Sequence, residues 1–192
     1  IWLNGEKYME SDRATQTIKN LKPDTDYEIQ IKSKNDSSEI TVIHTDYEFV
    51  TLDVKRFQAV GDGIHDDTAA IQAAIMACPP ESRVLIPAGT YKITSLFLRD
   101  DLRLELAEGA VLSAETDRTK FPVLKGLIDS YDEKEEYNLG TWEGNPLDCF
   151  SGIIMGINVS RVTIYGQGMI DGNASFENWW KDHKVKNIAF RP

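Results

Sequence analysis

Two pairs of adjacent aspartates, Asp66-Asp67 and Asp100-Asp101, have the side chains that general acid–base chemistry requires. The sequence around each pair favours a structural role instead. The first pair follows two glycines and precedes an apolar run, which is typical of the start of a helix. The second pair lies between two short apolar segments, which is typical of a turn. We therefore expect neither pair to be catalytic.

The cysteines and histidines show no spacing that is typical of a metal site: Cys78, Cys149, His44, His65 and His183. Because free cysteines are often buried, we favour buried thiols over a disulfide. Five acidic neighbours lack an ordered calcium-binding loop and are interpreted as a solvated charge run: Asp129, Asp132, Glu133, Glu135 and Glu136. We expect no metal and no cofactor.

A helix of about residues 67–78 is the most clearly marked element of the chain. Gly61 and Gly63 supply the backbone freedom of a tight turn, and an aspartate of the first pair can accept the unpaired N–H groups of the helix that follows. One face collects the apolar residues at three- and four-residue spacing: Ala69, Ala70, Ile71, Ala74, Ile75 and Cys78. That face must cover an apolar surface, so we expect Ile71 and Ile75 to be buried.

Short apolar segments recur along the rest of the chain. Residues 83–86 and 103–106 are each followed by a glycine and then by an apolar residue, 20 residues apart: Gly89 and Tyr91, then Gly109 and Val111. A second repeat of apolar residues has a spacing of 26: Val159, Val162 and Ile164 are followed by Val185, Ile188 and Phe190. Short strands that recur every ~20–30 residues between glycine turns indicate a solenoid. No second long amphipathic helix interrupts them, which argues against an alternating β/α architecture.

Residues 57–75 and 84–91 resemble the entry of the pectin-lyase-like superfamily of right-handed β-helices. The resemblance implies an all-β chain in which residues 54–192 form the opening rungs of a right-handed parallel β-helix, capped by the helix of about residues 67–78. We expect the strands of residues 84–112 to pair in parallel. Because pectate lyases, epimerases, phage tailspikes and polygalacturonases share this fold, it leaves the activity open.

A narrower resemblance lies downstream, where Ile-Tyr-Gly-Gln-Gly-Met-Ile-Asp-Gly at residues 164–172 is followed by Trp179-Trp180 and Arg191-Pro192. These segments resemble glycoside hydrolase family 28, the polygalacturonases. The resemblance implies a pectin-degrading enzyme that hydrolyses α-1,4-galacturonan with inversion. Two alternatives stay open: a non-catalytic carbohydrate-binding β-helix, such as a tailspike or adhesin, and a pectate lyase-type enzyme.

The aspartate motifs that carry catalysis in family 28 do not occur in these 192 residues. The resemblance implies aspartates in an Asn-Thr-Asp and a Gly-Asp-Asp segment, with Gly-His-Gly and Arg-Ile-Lys segments beside them. We therefore expect no catalytic residue in this chain. The motifs should follow Pro192, so that the chain is an excerpt of a longer protein and is inactive alone.

An insertion between rungs, at about residues 121–148, is a candidate binding surface. Within it, residues 141–145 resemble a Trp-Glu-Gly loop of bacterial exo-acting members of family 28. The resemblance implies exo action, with Trp142 stacking on a sugar ring while Glu143 or Asn145 bonds its hydroxyls. Alternatively, Trp142 holds the loop against the wall of the β-helix. For Trp179 and Trp180 we favour packing, since adjacent aromatic residues usually bury one ring.

Residues 1–50 resemble part of a fibronectin type III-like module. Residues 21–27 resemble the tyrosine corner of such domains, in which the Tyr27 hydroxyl bonds back to nearby backbone, with Leu21 buried beneath it. Alternating strands follow at residues 27–31 and 40–43. Because a complete sandwich needs about 100 residues, we expect its first strands to be missing. The remaining apolar face should then lack full cover: Trp2, Ile18, Ile29, Ile31, Val42 or Ile43.

The formal net charge of −10 argues against a nucleic-acid partner, because phosphate binding requires a basic surface. No apolar run approaches the ~18 residues of a membrane span. The resemblance implies an acidic plant polysaccharide, polygalacturonate or pectin, as the partner. A polymer substrate lies outside the cell, so we expect a secreted or cell-surface bacterial protein. The sequence predicts no oligomeric state.

Overall fold

The structure, a computed structural model, describes residues 1–47, 50–127, 139–142 and 144–181. The chain divides into two compact units, Ile1–Phe49 and Val50–Pro192. Within the described ranges, no helix has both the length and the apolar character that crossing a membrane requires.

The first unit contains a four-stranded antiparallel sheet. Its strands are β1 (Trp2–Leu3), β2 (Glu6–Lys7), β3 (Asp26–Gln30) and β4 (Thr41–His44), in the order β2-β1-β3-β4. Tyr27 is buried, and its hydroxyl accepts a hydrogen bond from the Lys22 backbone N–H at 2.8 Å, the geometry that the corner sequence predicts. The prediction that Leu21 is buried is wrong, since Leu21 is half-buried. In residues 1–47, Tyr27 is the one hydrophobic side chain that this small sheet buries.

The apolar residues of this sheet are incompletely covered, as the sequence predicts. Ile31 and Val42 are each 62% exposed. The other residues of the predicted face are half-buried: Trp2, Ile18, Ile29 and Ile43. The Lys32 ammonium lies 3.9 Å from the centroid of the Trp2 ring, within the range of a cation–π contact. That this unit is a fibronectin type III-like module stays a prediction.

The described part of the second unit is built from short strands and one α-helix. In chain order they are β5 (Thr51–Asp53), β6 (Asp62–Asp66), α1 (Thr68–Ala77), β7 (Arg83–Ile86), β8 (Gly89–Ile93), β9 (Leu96–Phe97), β10 (Arg103–Leu106), β11 (Ala110–Ala114), β12 (Val123–Leu124), β13 (Thr141–Trp142), β14 (Asn145–Pro146), β15 (Cys149–Phe150), β16 (Ile154–Met155), β17 (Thr163–Gly166) and β18 (Met169–Asp171). Two short 3₁₀ helices, Val54–Phe57 and Arg118–Lys120, follow β5 and β11.

Parallel stacking of these strands produces the rungs of a β-helix. One sheet has the order β17-β10-β7-β5, a second has the order β18-β11-β8-β6, and a third pairs β16 with β9. The predicted parallel pairing is confirmed, since β7 pairs with β10 and β8 with β11 in that sense. Side chains alternate between interior and exterior along each strand, so Val84, Leu104 and Leu112 are fully buried.

The helix α1 packs on the apolar interior of the β-helix. Ile71, Ala74 and Ile75 are fully buried among the rung residues, which confirms the prediction for the two isoleucines. Burial of each isoleucine contributes roughly 1.5–3 kcal/mol. The Gln72 side chain also joins the helix to β9, because its amide donates to the Phe97 carbonyl and accepts from the Phe97 N–H, both at 2.8 Å.

The rung-to-rung register differs between two neighbouring sheets. Arg103 lies opposite Arg83, as the 20-residue repeat predicts. In the next sheet Leu112, and not Val111, lies opposite Tyr91, so the predicted equivalence of Tyr91 and Val111 is wrong by one residue. Three residues separate β10 from β11, whereas two separate β7 from β8. The second set of the 26-residue repeat lies outside the described residues: Val185, Ile188 and Phe190.

Candidate functional site

A buried carboxylate, that of Glu115 directly after β11, holds the segment that leads into the insertion. We call this segment, residues 115–121, the root of the insertion. One oxygen of the Glu115 carboxylate accepts the backbone N–H groups of Thr116 and Asp117 at 2.8 and 3.1 Å. The other oxygen pairs with the ammonium groups of Lys92 at 2.9 Å and Lys120 at 2.8 Å. The Glu115 side chain is only 8% exposed. It therefore joins β8, β11 and the 3₁₀ helix at the start of the insertion.

This arrangement determines the pKa of Glu115. Burial by itself raises the pKa, but the hydrogen bonds from Lys120, Lys92 and the Asp117 N–H outweigh it and lower the pKa from 4.5 to about 2. The two lysines therefore favour the ionised form of this buried carboxylate at neutral pH.

We expect the folded state to lose the contribution of Glu115 as the pH falls from about 4.5 to about 2, because the folded pKa lies below the ordinary one. Since each pKa unit corresponds to about 1.4 kcal/mol, this contribution is of the order of 3 kcal/mol near neutral pH. Urea unfolding of the native chain and Glu115→Gln at pH 7 and pH 3 measures it. The variant should be less stable at pH 7, and the difference should shrink at pH 3. An unchanged difference would contradict this account.

An aromatic cluster joins the root of the insertion to a distant part of the sequence. The Trp179 ring is 8% exposed and packs edge-on against Phe121, with centroids 5.0 Å apart, and against Phe150 at 6.2 Å. The Arg118 guanidinium donates to the Trp179 carbonyl at 3.4 Å. The packing interpretation of Trp179 is confirmed. Its partners lie on both chain segments that enter and leave the insertion.

Trp180 differs from its neighbour. Its ring is 51% exposed and makes an edge-on contact with Phe176, which is 65% exposed, with centroids 5.9 Å apart. Sequence reasoning considered Trp180 only with Trp179 and missed Phe176. The four-residue spacing of two large aromatic residues within a turn-forming Asn/Ser/Gly segment is the sequence signal that could have identified the pair.

The predicted binding loop forms a hairpin within the insertion. Strands β13 and β14 pair antiparallel with Trp142 opposite Asn145, and Gly144 between them has a φ of +82°. Asn145 is exposed to solvent. The Trp142 side chain and Glu143 lie outside the described residues. Their predicted contacts with sugar therefore stay predictions.

Antiparallel contacts close the base of this hairpin. Strand β12 pairs with β15, and the Asp148 carboxylate accepts from the Gly126 N–H at 2.9 Å and pairs with the Lys125 ammonium at 3.2 Å. The Leu147 N–H donates to the Gly140 carbonyl at 3.0 Å. The two described ends of the insertion therefore lie side by side as paired strands.

The first aspartate pair has the structural role that the sequence predicts. Asp66 accepts from the Thr68 N–H and hydroxyl at the start of α1, at 3.0 and 2.5 Å. Asp67 is 1% exposed, and its two carboxylate oxygens accept from the N–H groups of Val60 at 2.6 Å and Gly61 at 2.9 Å. Both carboxylates therefore accept hydrogen bonds from backbone N–H groups, which is a structural role.

The second aspartate pair joins two turns of successive rungs. Asp100 accepts from the Ser160 N–H at 2.5 Å and from its hydroxyl at 2.9 Å, and these bonds lower the pKa of Asp100. Asp101 forms a two-point pair with the Arg161 guanidinium, which lowers the pKa of Asp101. These contacts support a structural role for both residues.

The described ranges contain no group of three or more His, Cys, Asp or Glu side chains placed to hold a metal ion. The acidic run and His183 lie outside those ranges: Asp129, Asp132, Glu133, Glu135 and Glu136. Cys78 and Cys149 are free thiols, as predicted. Cys78 is buried, which raises the pKa of its thiol, whereas Cys149 is half-buried.

Known proteins resemble this chain at the level of sequence and of structure. Residues 51–111 match the family model described as rhamnogalacturonase A/epimerase, pectate lyase-like. An exo-poly-alpha-D-galacturonosidase of Dickeya chrysanthemi is 30% identical over 163 residues, which cover 81% of this chain and 26% of that protein. The plasmin and fibronectin-binding protein A of Streptococcus pneumoniae is 41% identical over 83 residues, 41% of this chain and 12% of that protein.

A solved structure gives the same result. The family 28 exopolygalacturonase of Yersinia enterocolitica superposes with a TM-score of 0.60 and 29% identity, covering 81% of this chain and 28% of that one. The fold is a right-handed parallel β-helix of the pectin-lyase-like type, as predicted. The predicted resemblance to glycoside hydrolase family 28 is also confirmed, and the chain is homologous to exo-polygalacturonases. It spans about a quarter of the length of these relatives.

Proposed function

We propose that this chain belongs to a pectin-degrading glycoside hydrolase, a polygalacturonase that acts on the chain ends of α-1,4-galacturonan. The observation that carries the proposal is the 30% identity with an exo-poly-alpha-D-galacturonosidase, which extends over most of this chain. The family 28 aspartate motifs do not occur in the 192 residues. We therefore propose that the catalytic carboxylates follow Pro192.

The proposed chemistry is hydrolysis with inversion. One carboxylic acid protonates the leaving oxygen while a second carboxylate activates water, across the ~6.5–9.5 Å gap of inverting enzymes. In this proposal the described residues build the scaffold and one edge of the cleft. Trp142, Glu143 and Asn145 contact the sugar, and the hairpin that carries them closes one end of the cleft, which favours exo action.

We expect the 192-residue chain not to hydrolyse polygalacturonate and the complete gene product to do so. Without a general acid and a base, sugar contacts can bind substrate but do not stabilise the transition state. A reducing-sugar assay compares both proteins with a heat-inactivated control. Turnover by the 192-residue chain alone would show that this chain contains an active site, which would contradict the proposal. Monogalacturonate as the product would support exo action, and a ladder of oligomers would overturn it.

A second candidate is a carbohydrate- or protein-binding β-helix without catalysis. The 41% identity with a plasmin and fibronectin-binding protein favours it. An inactive complete gene product that still binds polygalacturonate would support this candidate.

A pectate lyase-type enzyme would instead require calcium and release an unsaturated product. In each case we propose a secreted or cell-surface bacterial protein, because its polymeric partner lies outside the cell.

A further inference from the structure

His44, the last residue of β4, lies between two carboxylates in the first unit. Its Nδ1 is 2.8 Å from an Asp26 carboxylate oxygen, and its Nε2 is 3.2 Å from an Asp24 carboxylate oxygen. Asp26 is on β3 directly opposite His44, whereas Asp24 belongs to the turn that precedes β3. The imidazole ring therefore joins β4 to two other elements. We call His44 with these two carboxylates the histidine bridge.

Only the protonated ring can form both hydrogen bonds of the histidine bridge. An ionised carboxylate accepts hydrogen bonds and donates none, so each ring nitrogen must carry a hydrogen to bond its neighbour. The imidazolium ion has two N–H groups, whereas the neutral ring has one N–H group and one lone pair. In the neutral ring a nitrogen lone pair would face a carboxylate oxygen, and that contact would be lost.

The charges around the ring also favour its protonated form. The turn of residues 22–25, β3 and the two residues after β4 carry four carboxylates and one ammonium group: Asp24, Asp26, Glu28 and Asp46, with Lys22. Tyr27, also on β3, lies on the opposite face of the sheet from Asp26, because side chains alternate along a strand. The hydrogen bonds with Asp26 and Asp24 outweigh desolvation and raise the pKa of His44 above its ordinary value of 6.5.

The turn that carries Asp24 is the predicted tyrosine corner, and uncharged groups also hold it to the end of β4. The Thr45 hydroxyl donates to the Lys22 carbonyl at 2.6 Å and accepts from the Thr25 N–H at 3.0 Å. The Asp24 N–H donates to the Asp46 carbonyl at 3.2 Å. These bonds do not depend on the charge of His44, so the turn keeps its position when the histidine bridge is lost but is held less firmly.

We propose that the histidine bridge is a pH-sensitive contact that joins the tyrosine-corner turn to β4 while His44 is protonated. Because the pKa of His44 is raised in the folded state, the stabilisation is complete below pH 6.5 and is lost as the pH rises through the raised pKa. The turn is therefore held most firmly in weakly acidic surroundings. This inference does not depend on the proposed hydrolase function.

Hydrogen exchange of the 192-residue chain, followed for single amides by NMR, tests the histidine bridge. The reporters are the N–H groups of Asp24, Thr25 and Thr45, which bond across the turn. At pH 5 we expect them to exchange about two- to fivefold more slowly in the native chain than in His44→Gln, the modest effect of an exposed ion pair. At pH 8 the ratio should approach one. Both chains are compared at the same pH, so the intrinsic pH dependence of exchange cancels.

Two further variants make the test specific to the charge of His44. His44→Lys keeps a positive charge at both pH values and should retain slow exchange of the three amides at pH 8. His65→Gln changes a histidine of the second unit that also contacts a carboxylate, that of Asp62 at 2.6 Å, and should leave the three amides unchanged. The Asp67 N–H, which donates to the Lys92 carbonyl at 2.9 Å, shows in the same spectra that each variant stays folded.

An exchange ratio that is the same at pH 5 and pH 8 would overturn the histidine bridge. An NMR titration of the ring that gives a pKa of 6.5 or below would overturn it as well. In Asp26→Asn and Asp24→Asn we expect the pKa of His44 to fall toward 6.5. The larger fall should occur in Asp26→Asn, because the hydrogen bond with Asp26 is the main cause of the raised pKa.

Discussion

Replacing Gly166 by alanine should lower the free energy of unfolding of the β-helix by about 2–5 kcal/mol. Gly166 ends β17 with a φ of +113°, which side-chain-bearing residues rarely adopt. A Cβ there would overlap the Leu106 carbonyl oxygen and lie 2.8 Å from its carbon. Backbone strain of about 1–2 kcal/mol and overpacking of about 1–3 kcal/mol act together.

The same change would disturb the contact between two rungs. The N–H groups of Gln167 and Gly168 both donate to the Leu106 carbonyl, at 2.9 and 3.0 Å. Movement of that carbonyl away from a new methyl group would weaken both bonds. The expected loss is large against the 5–15 kcal/mol that is typical of a whole domain.

Gly172→Ala is the matched control, because no atom lies within 4 Å of a Cβ at that position and its φ is not in the left-handed range. We expect a change within about 1 kcal/mol, and a small gain is reasonable since alanine restricts the unfolded chain. Urea unfolding followed by circular dichroism measures both variants. Equal stabilities for Gly166→Ala and Gly172→Ala would show that the rung adapts to the methyl group.

Asp67→Ala should be the second large effect, with a loss of about 3–5 kcal/mol in the free energy of unfolding. The substitution removes the carboxylate that accepts hydrogen bonds from two backbone N–H groups, those of Val60 and Gly61. Both hydrogen bonds are partly buried, and each such N–H group that loses its partner costs about 1–3 kcal/mol. The loss also opens a space beside α1, where Asp67 is 1% exposed.

Asp66→Ala is the control for this prediction, because the two aspartates are adjacent and equally charged. Asp66 is exposed and bonds only the first residue of α1, Thr68, so a loss of about 0.5–1 kcal/mol is expected. Thermal unfolding of both variants at one pH separates them. A similar loss for the two variants would mean that charge, and not the buried hydrogen bonds, determines the effect.

Local sequence patterns determined much of the fold. The apolar spacing of residues 69–78 predicts the helix and the burial of Ile71 and Ile75, because those positions share one face whatever the helix covers. The short glycine-bounded segments predict a solenoid, and the resemblance of residues 21–27 to a tyrosine corner predicts the hydrogen bond of the Tyr27 hydroxyl. Each of these features depends on residues that are close in sequence.

The register of the rungs was predicted only in part. The 20-residue spacing correctly aligned Arg83 with Arg103. It failed for Tyr91, because one additional residue in the turn before β11 shifts the next sheet by one position. A turn length changes register without changing the apolar pattern, so the pattern alone could not detect the shift.

Tertiary structure alone decided the surroundings of the insertion. The Arg118 side chain meets the Trp179 carbonyl across 61 residues of sequence, and Trp179 rather than Trp180 enters the cluster of Phe121 and Phe150. Lys92 on the preceding rung reaches Glu115. Sequence supplied the residue types, but which of two adjacent rings is buried depends on the direction of the turn that carries them. That direction follows from hydrogen bonds to other rungs, which no local pattern encodes.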